Sequence, residues 1–180
     1  MKATSTLILI TSIFASIMLG SFYYYLFPFH HTHTSACAVM YPTKDNKVTG
    51  VVKFTQLKKG IHIVATFHGL TPGKHGFHVH EYGECTSDDG MCTGGHFNPT
   101  NAPHGAPTDS NVHVGDFGNI IADADGNAQY NEINYHITLH GPHSIIGRGL
   151  IVHADPDDLH TQPTGNSGKR IGCGVIGISQ

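Results

Sequence analysis

The sequence predicts an all-β domain of eight short strands, closed into a barrel or sandwich and interrupted by two long loops. Three observations lead there. Only 13% of the 180 residues are charged and 22 are glycine, a composition suited to short strands and tight turns. Short runs with strand-forming residues recur at close spacing, separated by Gly, Pro, Asn and Asp clusters. Beyond the N-terminal segment, nothing reads as a long amphipathic helix.

The chain opens on an apolar segment. Ala3 to Phe29 holds no charged residue, and as a helix Leu7–Phe27 would span ~30 Å, about one hydrocarbon core. Phe22, Tyr23, Tyr24, Tyr25, Phe27 and Phe29 crowd its end, where a membrane interface favours aromatic rings. Lys2 on its N-terminal flank predicts a cytosolic N-terminus and an exported remainder. Residues 1–29 are therefore expected to be a cleaved signal peptide or an uncleaved signal anchor, with membrane contact through this segment alone. The domain then lies secreted or anchored outside the reducing cytosol, where a disulfide persists. Residues 30–35 form a His-rich linker. His30, His31 and His33 can act there as a polar spacer or capture copper or zinc.

The domain proper is expected over residues 36–180. Cys37–Tyr41, Val48–Gln56 and Ile61–His68 read as strands divided by Lys-Asp-Asn and Lys-Lys-Gly turns. Gly76–Glu81 is a fourth. Val114–Ala122 and Ala128–Tyr135 flank Asp125-Gly126, a strong hairpin signal. Ile145–Ala154 and Gly174–Ser179 complete the eight. Tyr82–Asn111 and Asp155–Ile171 break the rhythm as long loops without periodicity, and each begins just after a histidine-bearing strand. Long loops in a compact domain are commonly functional.

The formal net charge is −3, and no Lys/Arg cluster occurs, so nucleic acid is not an expected partner. Histidine is the outlier at 16 residues, and imidazole is a common ligand for zinc and copper. The four cysteines are too scattered for a Cys-based zinc ribbon. In His78-Val79-His80, strand geometry puts both imidazoles on one face, where they can converge on an ion. His96 follows in Gly94-Gly95-His96-Phe97-Asn98-Pro99, then His104 in His104-Gly105-Ala106-Pro107, then His113-Val114-Gly115-Asp116. Three histidines and an aspartate satisfy a closed tetrahedral zinc site. His78, His80, His96 and a fourth imidazole make the tetragonal set that Cu(II) prefers. His153, ending Gly149-Leu150-Ile151-Val152-His153, is the natural fourth.

These motifs resemble those of the copper/zinc superoxide dismutases, in family order. The matching segments are Gly76–Glu81, Gly95–Pro99, His113–Asp116, Gly147–His153 and Gly172–Gly177, and the likeness covers about residues 36–180. It implies a Greek-key barrel that takes superoxide to molecular oxygen and hydrogen peroxide by alternating reduction and oxidation of a histidine-bound copper beside a structural zinc. It further implies copper on His78, His80, His96 and His153, zinc on His96, His104, His113 and Asp116, and His96 as the bridge and proton carrier. Asp157 matches a carboxylate that joins the copper ligand His78 to the zinc ligand His104. Arg170 matches a guanidinium over the copper mouth that receives the small anion. The second loop looks shorter than in many eukaryotic relatives and lacks their Glu and Lys pattern.

The resemblance also implies a disulfide from the first long loop to Cys173. Both Cys85 and Cys92 lie in that loop. Bacterial relatives of the form His-Glu-x-Gly-Asp-Cys favour Cys85, leaving Cys92 an extra thiol and Cys37 a small apolar residue of the first strand. Likeness of the Ile145–Ile151 and Gly174–Ser179 strands to dimeric relatives implies a homodimer, although the first loop looks closer to bacterial members that assemble differently. His75 is expected to be a structural turn residue. His62, His68, His136, His140, His143 and His160 are expected at the surface or at strand edges. A copper-storage module and a structural domain with incidental zinc are the rival readings. The second leaves His78, His80 and His153 without a purpose.

Overall fold

The computed structural model describes residues 34–180. The apolar segment 1–29 and His30, His31 and His33 lie outside the described residues. Nine strands follow in chain order: β1 Ser35–Pro42, β2 Thr49–Gln56, β3 Ile61–His68, β4 Gly73–His80, β5 Asp116–Ala122, β6 Ala128–Asn134, β7 Gly149–His153, β8 Arg170–Val175 and β9 Gly177–Ile178. Hydrogen bonding runs β2-β3-β6-β5-β4-β7-β8-β1, and a further β1–β2 pairing closes the ring. Strands β1 to β8 thus form a closed antiparallel barrel, as expected from sequence, and β9 adds a short pairing to β1. Because β3 neighbours β6, and β4 lies beyond β5, the chain crosses the barrel end in a Greek-key connection. Closure leaves β1 to β8 without a free edge for another chain to extend.

Alternation fixes which side chains fill the barrel. Ala36, Ala38 and Met40 of β1, Val52 and Phe54 of β2, and Ile61, Ile63, Ala65 and Phe67 of β3 are buried, while most residues between them reach solvent. Phe77 on β4 sits at the centre, edge-on to Phe67, Phe117 and Tyr130 with ring centroids 5.4, 5.5 and 5.4 Å away. Such edge-to-face contacts add about 0.5–1.5 kcal/mol each beyond area burial.

Strands β4 and β7 differ from the rest because both of their faces are covered. Phe77, Val79, Leu150 and Val152 point into the core. By the period of two, His78, His80, Ile151 and His153 point outward, yet all four are buried. The long loops roof this outer face. Bulges fall beside two of these histidines, between Gly76 and His78 on β4 and between Val152 and His153 on β7. Bulges re-aim side chains in this way next to functional sites.

Several strand boundaries depart from expectation: β4 begins three residues early, at Gly73, and β5 begins at Asp116 because Val114 and Gly115 still belong to the loop. Ile145–Arg148 is not part of β7. Arg148 N–H donates to the Ile145 carbonyl and Gly147 sits at φ 78°, so these residues turn although Ile145 is fully buried. The final strand is interrupted at Ile176, whose N–H donates to Arg148 O rather than along the ladder. Arg170 and Ile171, expected at the end of the second loop, begin β8. The Asp125-Gly126 hairpin is as expected: Asp123 Oδ1 accepts from Asp125 and Asn127 N–H at 2.9 Å each, and Gly126 takes φ 78°.

Candidate metal centre

Two groups of ligand atoms assemble on the outer face of β4, β5 and β7. His78, His80, His96 and His153 form one, and His96, His104, His113 and Asp116 form the other, with the ligand atoms of each group within 4.8 Å of one another. Strand spacing supplies His78 and His80, the end of β7 supplies His153, and the start of β5 supplies Asp116. His96 reaches the site because its segment pairs with β4: Phe97 N–H donates to Val79 O and Glu81 N–H to Gly95 O.

Hydrogen bonds orient each ring. His80 Nδ1 lies 3.0 Å from Gly94 O and His153 Nδ1 3.2 Å from Gly168 O. A neutral ring that donates from Nδ1 carries its lone pair on Nε2. The two Nε2 atoms face each other at 3.3 Å, an arrangement that calls for a shared cation. His78 Nε2 is 2.8 Å from Asp157 Oδ2, and His104 Nε2 is 2.9 Å from Asp157 Oδ1. The buried Asp157 carboxylate therefore grips one histidine of each group. Asn119 holds Asp157 in turn, through both its backbone N–H and its carbonyl.

The opposite ring atoms differ. His78 Nδ1 and His96 Nε2 are buried without a hydrogen-bond partner, while His104 Nδ1 and His113 Nδ1 lie 2.8 and 3.3 Å from the Asp116 carboxylate. Buried polar atoms are rarely orphaned, and all four belong to histidines of the two ligand groups. The donor chemistry fits two cations. An all-imidazole set suits copper, and three imidazoles with a carboxylate suit zinc. His96 belongs to both groups; its Nδ1 lies 2.7 Å from Asp116 Oδ1, and its Nε2 is the buried atom without a hydrogen-bond partner.

Electrostatics prepare the ligands. Burial first, then His96, His153 and Arg170, holds His80 well below the usual imidazole range. His153 is depressed by burial first and then by His78. Burial and His78 push His96 down to about 4. These rings are neutral at pH 7, as metal ligands must be. Burial opposes the charge of His104, but Asp116 and Asp157 outweigh it and raise the ring to about 9. Burial likewise opposes ionisation of both carboxylates, and hydrogen bonds from His104 and its neighbours still hold them far below the ordinary carboxylate range.

A cavity of about 620 Å³ opens above His80 and His153 and is bounded by Arg170, Lys169, Lys44, Asp88 and Asp89. Arg170 Nη1 donates to Gly90 O and Thr93 Oγ1 at 2.8 Å, and Nη2 to Gly94 O at 2.7 Å. Cys85 and Cys173 form a disulfide with Cα atoms 5.8 Å apart, which fastens the first loop to β8. Cys37 is half-buried and Cys92 exposed, both as free thiols.

The chain matches the copper/zinc superoxide dismutase (SODC) family over residues 48–176, a span that includes both ligand groups, Asp157, Arg170 and the disulfide. The chain belongs to the copper/zinc superoxide dismutase family. It is 45% identical over 157 residues to the extracellular Cu-Zn superoxide dismutase of Brugia pahangi, covering 82% of this chain and 78% of that protein. It is 46% identical over 156 residues to the Cu-Zn superoxide dismutase of Onchocerca volvulus, covering 81% and 96%. A Cu-Zn superoxide dismutase of Arabidopsis thaliana is 45% identical over 141 residues, covering 74% and 85%. Among solved structures, the crystal structure of the clock protein EA4 superposes with a TM-score of 0.75 at 40% identity, covering 82% of this chain and 96% of that one. The cofactors of this dismutase are copper and zinc, in keeping with its two donor sets.

Several supporting residues of the dismutase are missed or misplaced by sequence reasoning. His75 is not a turn residue: it lies in β4, buried, with Nδ1 2.8 Å from His153 O and Nε2 2.8 Å from Thr71 O. Its inward parity with Phe77 and Val79 was the available clue. Gln162, in the short second loop, accepts from His104 N–H and donates to His104 O, each at 2.8 Å. Arg148 lies 3.5 Å over the Phe97 ring and donates to Glu81 O, bracing the segment that carries His96.

Proposed function

We propose that this chain converts two superoxide anions and two protons into molecular oxygen and hydrogen peroxide. One observation carries the reading: the single buried imidazole of His96 belongs to both of two adjoining ligand groups, and it has two ring nitrogens to offer them. His78 Nδ1, His80 Nε2, His96 Nε2 and His153 Nε2 would hold copper. His96 Nδ1, His104 Nδ1, His113 Nδ1 and the Asp116 carboxylate would hold zinc. Copper bound there would supply the one-electron exchange, and zinc would supply fixed charge and orientation.

The chain's own groups do the rest. Arg170 presents positive charge at the mouth and receives the anion beside His80 and His153. His96 Nε2 lies where a proton can be held and passed to the reduced product. Asp157 fixes the ring orientation and tautomer of His78 and His104 together. The test is metal analysis with a superoxide assay on the purified domain. One copper and one zinc per chain, with activity lost on copper removal, is the expected result; full activity with zinc alone overturns the proposal.

The domain works outside the cytosol on this reading, supported by the Cys85–Cys173 disulfide and by the extracellular relative. Residues 1–29 would export it as a signal peptide or anchor, and residues 30–35 would link them to the domain. We also propose a homodimer. Val39, Tyr41, Val175 and Ile178 expose apolar surface on β1, β8 and β9 beside the disulfide, and a second copy docked there would cover it. Light scattering decides between dimer and monomer.

A further inference from the structure

We infer that Thr93 is the positioning residue of Arg170, fixing which of its N–H groups face the incoming anion. The inference rests on the anion-guiding role proposed for Arg170. Thr93 lies in the single 3-10 turn of the described residues, Met91–Thr93, between Gly90 at φ 70° and Gly94 at φ 73°. It is completely buried. Its hydroxyl accepts from Arg170 Nη1 at 2.8 Å and donates to Gly90 O at 2.9 Å. Gly90 O also accepts from Arg170 Nη1 at 2.8 Å. Hydroxyl and carbonyl therefore brace each other while both hold the same nitrogen.

The rotamer of Thr93 is set by packing. A Cβ placed on Gly149 of β7 would come within 2.9 Å of Thr93 Cγ2, so the methyl occupies the space that this glycine leaves open. With the methyl seated there, χ1 of a β-branched residue has little freedom, and the hydroxyl is aimed at the guanidinium. The backbone is fastened too: Thr93 N–H donates to Gly90 O at 3.2 Å and Thr93 O accepts from Tyr82 N–H at 2.9 Å.

Counting donors shows the consequence. A guanidinium has five N–H groups. Gly90 O and Thr93 Oγ1 take two at Nη1, and Gly94 O takes one at Nη2. Nε–H and the second Nη2–H remain for a ligand, few enough to suit a small anion in the cavity shared with His80 and His153. Without the Thr93 hydroxyl, one Nη1–H loses its partner and the fork can swing away from that cavity.

Two substitutions separate the hydroxyl from the packing. Thr93→Val keeps the methyl against Gly149 and removes the hydrogen bonds; Thr93→Ser does the reverse. In the reduced, diamagnetic holoenzyme, nitrogen NMR of the Arg170 guanidinium reads the restraint directly, since a pinned fork rotates slowly about its C–N bonds. Slow rotation is expected in the parent protein and in Thr93→Ser, with fast rotation in Thr93→Val. The superoxide rate at low salt is expected to fall about three- to tenfold in Thr93→Val and to stay within about twofold in Thr93→Ser. Unchanged Arg170 signals in Thr93→Val, or equal losses in both variants, overturn the inference. Arg170→Ala tests the underlying reading separately. If it leaves rate and salt dependence untouched while Thr93→Val still frees the guanidinium, anion guidance fails and the hold of Thr93 on Arg170 stands.

Discussion

His80 and His153 face each other through their Nε2 atoms at 3.3 Å, each with Nδ1 already turned to a backbone carbonyl. Two lone pairs at that separation repel until a cation lies between them. Metal removal should therefore lower the melting temperature by at least ~10 °C, and copper and zinc together should restore it. Calorimetry of the metal-free and reloaded forms checks this; equal melting points would refute it.

The metal-free protein should also show a peaked dependence of stability on pH. His80, His96 and His153 have depressed folded-state values, about 4 for His96. The unfolded chain then binds more protons below about 6.5, so stability falls as pH drops. His104 is raised to about 9, and its contribution is complete below about 6.5 and lost as pH rises through about 9. The opposing slopes meet near pH 6.5. Denaturant titrations of the metal-free protein across this range should find a maximum there, and a flat profile would count against it.

His96→Ala should weaken copper and zinc alike, each by at least about tenfold, because it is the one side chain shared by both groups. His104→Ala should weaken zinc far more than copper. Competition titrations for each metal separate the two patterns. Normal copper affinity in His96→Ala would remove the shared-ligand assignment.

Arg170→Ala should slow superoxide turnover by about tenfold at low salt and flatten its dependence on ionic strength, with metal content unchanged. A steep salt dependence surviving in the variant would move the steering to Lys44 and Lys169, which border the same cavity.

Non-reducing peptide mapping should recover Cys85 joined to Cys173, with Cys37 and Cys92 alkylated. The bond closes a sequence separation of 88 residues, which the chain-entropy description values at about 4–5 kcal/mol. Cys85→Ser should therefore destabilise the domain strongly, while Cys92→Ser should leave the crosslink intact.

The barrel was legible because alternation survives in β1, β2 and β3, where one face meets solvent. It blurred at Ile145–Arg148 and at Ile176, where buried apolar residues leave the ladder for turns that no hydrophobic pattern marks. The histidines and Asp116 stood out because metal chemistry demands particular side chains at particular spacings, and the family motifs supplied their grouping. Thr93, Gly94 and Gln162 were invisible. They act through a hydroxyl, a carbonyl and an amide whose aim depends on the path of the loop, which no spacing along the chain marks.

Strand β4 carries two messages in alternating letters. Phe77 and Val79 address the core, while His78 and His80 address the metals. One residue inserted within this strand would exchange the two, sending imidazoles into the apolar interior and a phenyl ring under the loops. Such a change would destroy packing and ligation in one event, so this stretch should admit no length variation at all. An insertion in the turn of Lys58 and Lys59, between β2 and β3, disturbs neither message. Tolerance to insertion along the chain should therefore trace the metal-bearing wall of the barrel, even for an observer who never measures a metal.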